Sequence, residues 1–306
     1  MTHFIDIIDH SPQWLSHVLD VSRDLRKQRG DLKAPQVLPG KTLAMLFEKP
    51  SLRTRVSFEQ AMYELGGQAI VLDQREVGMG QRESIPDIAR VLSGMVQGIM
   101  ARVFGHTKLR ELATNASIPV INALSDDSHP CQAMADILTM QDEFGPDLRG
   151  RTLAFIGDGN NMALSLAELC AKLDMKFILA APSSFVLRDK VLDAIRRQCP
   201  KADLRITDNP TNAVKAADAI YTDTFVSMGQ EQEKEERLRA FEGYQINENL
   251  IAAAPKHAIV MHCLPAYRGI EITDAAMDGP WSRVFPQAHN RLHVQKGLLA
   301  VLMGGR

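Results

Sequence analysis

The sequence predicts an α/β protein made of two doubly wound parallel-sheet domains. Three observations carry that expectation. Short apolar segments alternate with helical patterns along the whole chain, the rhythm that builds a parallel sheet with helices on both faces. The cluster GPDLRGR (145–151) interrupts the rhythm with Gly, Pro and charge, and the alternation then restarts. The chain has 306 residues, more than one ordinary core holds and suited to two domains of about 100–200 residues each. In such a pair the active site is expected in the interdomain cleft, facing the carboxyl ends of the strands.

The first element is a helix over 11–29. Ser11 caps it, Pro12 suits the first turn, and Trp14, Leu15, Val18, Leu19 and Leu25 form its apolar stripe. TLAMLF (42–47) reads as a strand, followed by a helix after Arg53 that stops at Gly66-Gly67, then strand AIVLD (69–73). VGMGQRES (77–84) sets two glycines among polar residues and reads as a mobile loop. A helix over 85–96 leads to strand GIMARV (98–103) and strand PVINAL (119–124), and helix CQAMADILTMQDEFG (131–145) follows. The second half runs strand TLAFIGD, helix 161–174, strand KFILAAP, helix 187–198, strand DLRIT, a short helix 210–217 and strand AIYTD. A charged helix in QEKEERLRAF, strand AIVMHCLP (258–265) and a last helix near 288–303 complete the order.

Composition narrows the function. A net charge of −2 gives no reason to expect nucleic acid or another polyanion as partner, so any basic site is local. Cys131, Cys170, Cys199 and Cys263 are scattered without a Cys-x-x-Cys pair, which indicates neither a metal knuckle nor a disulfide framework. The opening MTHFIDIIDHSPQWL carries acidic residues and no long apolar core, so it does not read as a signal peptide. No run of about 18 apolar residues is present, and no membrane span is expected. A reducing cytoplasm is the natural compartment.

Polar side chains gather where strands turn into helices. In FEKPSLRTRVSFE, Ser51, Arg53, Thr54 and Arg55 open a helix at a strand end, where free N–H groups and the helix dipole favour an anion such as phosphate. The alternative is a simple cap with solvated arginines. In DDSHPCQAMAD, His129 and Gln132 also open a helix and both can donate to a carbonyl oxygen. The alternative makes Ser128 the cap and His129 incidental. Arg102 ends strand 98–103 at the same sheet edge. FIGDGNNMALS contains Gly157-x-Gly159 but has Met162 where a dinucleotide fingerprint needs its third glycine. Asn160 and Asn161 are then either polar ligands or a cap. Asp223, at a strand end before Ser227, Met228 and Gly229, is an acceptor suited to an amine, while the Glu/Lys run behind it reads as a solvated helix face. His262 and Cys263 adjoin on a strand, so alternation sends them to opposite faces and His262 does not activate the thiol. Arg291 is either a site contact or a surface residue.

FEKPSLRTRVSFE, HPCQ, GDGNNMALS, TDTFVSMG and HCLPAYRG together, in this order and over nearly the whole chain, resemble the aspartate/ornithine carbamoyltransferase family. SMG followed by HCLP resembles its ornithine branch. The resemblance implies transfer of a carbamoyl group from carbamoyl phosphate to the δ-amine of L-ornithine, with no cofactor and no metal, in a homotrimer or an assembly of trimers. It implies a carbamoyl phosphate domain over 1–147, joined by the C-terminal helix 288–306 packing back on it, and an ornithine domain over 148–287. Ser51, Leu52 through its backbone, Arg53 and Thr54 would hold phosphate. Arg102, His129 and Gln132 would bind the carbonyl and amide, and Arg291 the carbamoyl group. Asn161, Asp223, Ser227 and Met228 would bind ornithine. Cys263 and Leu264 would flank the ornithine side chain and complete the carbamoyl phosphate site. Arg53, Arg102, His129, Asp223 and Cys263 are the expected catalytic set.

This sequence departs from the family pattern at two places. Gly78 stands where the family usually has a loop glutamine, with Gln81 three residues on, and Tyr267 stands where His is common. The rival readings are a carbamoyltransferase for acetylornithine or putrescine, a nicotinamide oxidoreductase, and a non-catalytic regulator on the same fold.

Overall fold

A computed structural model of the chain describes residues 3–31, 36–227 and 229–305. It divides into two compact units, Met1–Ala135 with His289–Arg306, and Asp136–Ala288.

The first unit begins with a short 3-10 turn and helix α1 (Pro12–Lys27), where the Ser11 hydroxyl accepts the Trp14 N–H. Then come β1 (Thr42–Phe47), α2 (Leu52–Glu64), β2 (Gln68–Asp73), the single turn α3 (Gln74–Val77), α4 (Ile85–Ser93), β3 (Gly98–Arg102), α5 (His106–Asn115), β4 (Val120–Leu124) and α6 (Pro130–Phe144). The four strands are all parallel, in the order β2-β1-β3-β4. The chain winds outward in both directions from the β1/β3 pair, so a topological switch lies at their carboxyl ends. Phe47 there pairs with Arg102, and Arg102 with Leu124 after a bulge at Ala101/Arg102. Phe4 adds a backbone bridge beyond β4, donating to Val120 O and accepting from Asn122 N.

The second unit holds β5 (Thr152–Ile156), α7 (Asn161–Lys172), β6 (Lys176–Ala180), α8 (Asp189–Gln198), β7 (Asp203–Thr207), α9 (Pro210–Val214), β8 (Ala219–Thr222), α10 (Lys234–Ala240), α11 (Glu248–Ala252), β9 (Ile259–His262) and α12 (Asp274–Asp278). Its five parallel strands run β7-β6-β5-β8-β9, with the switch between β5 and β8. Helix α13 (Val284–Gly304) begins in this unit and ends in the first. In the first unit α13 packs so tightly on α1 that a Cβ on Gly297 would stand 2.8 Å from Val18 O.

Two findings refine the element order. Helix α5 lies outside the predicted elements; it follows Gly105 without a side-chain cap and buries only Leu109 and Leu112, and the five-residue α11 and α12 are likewise additional. Residues 77–84 are a built turn. Gly78 (φ 62°) and Gly80 (φ 75°) take left-handed backbone, and Gly78 O accepts the N–H groups of Gln81 and Arg82 at 2.9 and 2.8 Å.

Candidate active site

In the first unit, the ends of β1, β3 and β4 bring basic groups around one imidazole. Ser51 stands just before α2 in extended backbone, and its hydroxyl accepts the Thr54 N–H at 3.3 Å. Ser51 is therefore a cap. The solvated reading fits Arg55, which is exposed and pairs with Glu59 one turn on. It does not fit Arg53, half-buried and close enough to act electrostatically on His129. Leu52, the first residue of α2, exposes its side chain and leaves an N–H at the helix terminus. Thr54 is buried, and its hydroxyl lies 3.4 Å from Arg291 Nη2.

Helix α6 starts at Pro130, so His129 and not Ser128 stands at the junction, its carbonyl accepting from the N–H groups of Gln132 and Ala133. The segment before it is fixed from behind. Ser128 N–H donates to Ser125 Oγ, which also contacts His106 Nδ1, and His106 Nε2 meets Asp6. Burial, then the charges of Arg291, Arg102, Arg53 and Lys49, push the His129 pKa well below its usual range. At neutral pH the imidazole is uncharged and can donate one hydrogen bond among cations. Gln132 is buried and its Oε1 accepts Arg291 Nη1 at 2.6 Å. Arg102 and Arg291 are both buried. The structure thus gathers Arg53, Thr54, Arg102, His129, Gln132 and Arg291. It adds Lys49, which lies in FEKPSLRTR but is absent from the expected site residues. Lys49 is 5% exposed, pairs with Asp126 and sits over the Phe104 ring at 4.2 Å.

In the second unit, the ends of β5, β8 and β9 converge on Asp223. Its Oδ1 accepts the Cys263 thiol at 3.0 Å and the Thr224 N–H at 2.8 Å, and its Oδ2 accepts Asn160 Nδ2 at 2.9 Å. Asn160 also caps α7, its Oδ1 accepting from Met162 and Ala163 N–H, so the cap reading holds for Asn160 while Asn161 is the first helical residue. Ser227 N–H donates to Gln230 Oε1 at 3.0 Å. Met228 lies outside the described residues. The Cys263 thiol is held well above its ordinary pKa, by burial first and then by the Asp223 charge. It is a proton donor and not a thiolate nucleophile.

His262 and Cys263 do not point to opposite faces as strand alternation predicts. Strand β9 ends at His262 and Leu264 takes left-handed backbone (φ 58°), so the donor atoms of Asp223, His262 and Cys263 lie within 4.8 Å of one another. They do not suit a metal. His262 Nδ1 accepts the Leu264 N–H at 2.8 Å, so its proton sits on Nε2, which donates to Glu271 at 3.1 Å. Both nitrogens are engaged and the thiol is protonated.

The charged helix is not wholly a solvated face. Arg237 in α10 is buried. It pairs with Asp158 at 2.8 Å and Glu233 at 2.9 Å, reaches Phe225 O, and stacks over Phe185. It ties the segment after Asp223 to the end of β5. The Gly157-x-Gly159 pattern serves the chain's own packing. A Cβ on Gly159 would stand 2.6 Å from Leu187 N, so that glycine admits a neighbouring backbone segment and no pyrophosphate role is needed to explain it.

The model of the aspartate/ornithine carbamoyltransferase carbamoyl-P binding domain matches residues 2–142, and that of the Asp/Orn binding domain matches residues 149–302. The chain belongs to the aspartate/ornithine carbamoyltransferase family. An ornithine carbamoyltransferase from Methanopyrus kandleri is 46% identical over 307 aligned positions, covering 99% of this chain and 97% of its own. One from Bacillus subtilis is 48% identical over 284, covering 91% and 89%. The solved structure of the Pyrococcus furiosus ornithine carbamoyltransferase superposes with a TM-score of 0.95 at 42% identity, covering 99% of this chain and 97% of that one. The family's carbamoyl-P model spans the His129 cluster except Arg291, and its Asp/Orn model spans the Asp223 cluster together with Arg291.

Proposed function

We propose that this chain transfers the carbamoyl group of carbamoyl phosphate to the δ-amine of L-ornithine, giving L-citrulline and phosphate for arginine biosynthesis. The observation that carries the reading is the gathering of Arg53, Arg102, Arg291 and Lys49 around a buried, neutral His129 beside a helix N-terminus. That arrangement suits an anion bearing a carbonyl. Ser51, the Leu52 backbone, Arg53 and Thr54 grip the phosphate. Arg102, His129, Gln132 and Arg291 hold the carbonyl and amide. Asp223, with Asn161, Ser227 and Met228, takes the ornithine amines, flanked by Cys263 and Leu264.

In the reaction the neutral δ-amine attacks the carbonyl carbon. The C–O bond to phosphate breaks, the electron pair leaves with the phosphate, and the phosphate takes one amine proton. Donors fixed before the reaction supply the catalysis, each of the order of 3–4 kcal/mol when removed singly. Both substrates carry their own reactive groups, so no cofactor enters. Four free cysteines support a reducing cytoplasm as the working compartment. Exposed Leu52, Val56 and Tyr63, four and seven residues apart on α2, support self-association through that helix face; the homotrimer or assembly of trimers is what the family resemblance implies, and light scattering would measure it.

A colorimetric citrulline assay with carbamoyl phosphate and a panel of amines tests the substrate. Ornithine is expected to give the highest kcat/KM. Faster turnover of acetylornithine or putrescine would overturn the assignment.

A further inference from the structure

Behind the Cys263–Asp223 pair lies a polar chain with no part in the transfer just described. Asp136 of α6, Tyr221 of β8 and Gln287 of α13 are each 0% exposed. Tyr221 donates its hydroxyl proton to Asp136 Oδ2 at 3.0 Å. Gln287 Nε2 donates to Asp136 Oδ1 at 2.8 Å and lies 3.2 Å from the Tyr221 oxygen. Gln287 Oε1 accepts the His262 backbone N–H at 2.9 Å, so the same amide fixes the residue next to Cys263. A buried carboxylate is costly even when well supplied with donors, and an apolar side chain would fill the space at lower cost.

A hydroxyl has one proton. The Tyr221 proton is committed to Asp136, which leaves none for the Cys263 sulfur that the same hydroxyl reaches. The thiol is then the donor in its 3.0 Å bond to Asp223 Oδ1. We propose that Asp136 is a positioning residue that, by holding the Tyr221 proton and its own charge close by, keeps the Cys263 thiol protonated and turned to Asp223. The inference rests on the assignment of Asp223 to the substrate amine. Its effect is to leave that carboxylate hydrogen-bonded from three sides, by Cys263, Asn160 and Thr224, and aimed at the amine.

The test is alkylation of Cys263 by iodoacetamide in the full chain, followed by peptide mass spectrometry from neutral to alkaline pH, with citrulline turnover measured alongside. Asp136→Asn removes a negative charge that opposes the thiolate and releases the Tyr221 proton to the sulfur. The thiolate fraction at fixed pH rises about tenfold for each unit by which the thiol pKa falls, and since a less basic thiolate is a weaker nucleophile, Cys263 alkylation should rise roughly three- to fourfold per unit. Tyr221→Phe keeps the charge and deletes the hydroxyl, and should alkylate no faster than the native protein. An unchanged rate in Asp136→Asn overturns the proposal, as does equal acceleration in both variants, the mark of a merely loosened core. If Asp136→Asn does not fold, Tyr221→Phe decides, since faster alkylation there overturns the proposal and a native or slower rate supports it. Absence of citrulline from the native protein would refute the functional reading instead, and leaves the thiol result intact.

Discussion

Replacing Arg291 by alanine removes a guanidinium, 2% exposed, that donates to Gln132 Oε1 at 2.6 Å and reaches Thr54 Oγ1 at 3.4 Å. Two effects follow, and they are separable. The fork of donors is lost. Removal of one such preorganised donor costs about 2.7–4 kcal/mol, or roughly 10²–10³ in kcat, and taking a charged donor from buried Gln132 costs about 1–3 kcal/mol of stability. The charge is also lost. After burial, Arg291 is the largest influence holding the His129 pKa down, so in Arg291→Ala that pKa rises. Since the neutral imidazole is the working form, the acid limb of kcat/KM moves to higher pH. Arg291→Lys keeps the charge without the fork, so it should lose kcat comparably while its acid limb stays near the native position. The assay is citrulline formation against pH for the three proteins, with thermal melts to confirm folding. A kcat for Arg291→Ala within about tenfold of native, 1.4 kcal/mol or less, would refute the reasoning, and so would coincident acid limbs for Ala and Lys.

Other outcomes follow from the same geometry. Arg237→Ala strands the Asp158 carboxylate, 12% exposed on its side chain, and breaking such a pair costs about 3 kcal/mol. A lower melting temperature and a higher KM for ornithine, with KM for carbamoyl phosphate unchanged, are expected. His293 is buried, and burial followed by the charges of Arg26, Arg29 and Lys296 pushes its pKa from 6.5 down to about 4. The unfolded chain therefore binds a proton there before the folded one does. Stability is full above pH 6.5 and falls as pH drops toward 4, by at most about 3 kcal/mol before solvent screening. Denaturant unfolding of the native protein and of His293→Asn over that range should show the slope in the first and a weaker one in the second, where His129 still contributes in the same direction.

The strands were the most legible part of the chain because β1, β3, β4, β5, β8 and β9 are buried on both faces and read as largely apolar runs, while β2, β6 and β7 are partly exposed. TLAMLF matches β1 residue for residue. Helix α5 was not legible, since a polar helix without a cap carries neither stripe nor start signal. In the candidate site, strand-end clusters marked Arg53, His129 and Asp223, because their neighbours in sequence are also their neighbours in space. The partners of Arg291 lie 159 and 237 residues away, a pairing only the fold creates. Arg237 had a signal that was missed. It stands four residues before buried Phe241, so the helix face that buries one must bury the other. Asp136, a lone carboxylate in the apolar stretch AMADILTM, carried a similar signal of a buried polar partner.

The central claim is that the turn after β1 grips the phosphate of carbamoyl phosphate during carbamoyl transfer. The direct measurement is citrulline formed from carbamoyl phosphate and ornithine by the native chain and by Arg53→Ala, at equal concentration and with matched circular dichroism. The native chain should make citrulline, and the folded variant should lose about 10² or more of that rate. A folded Arg53→Ala protein working at the native rate would contradict the account.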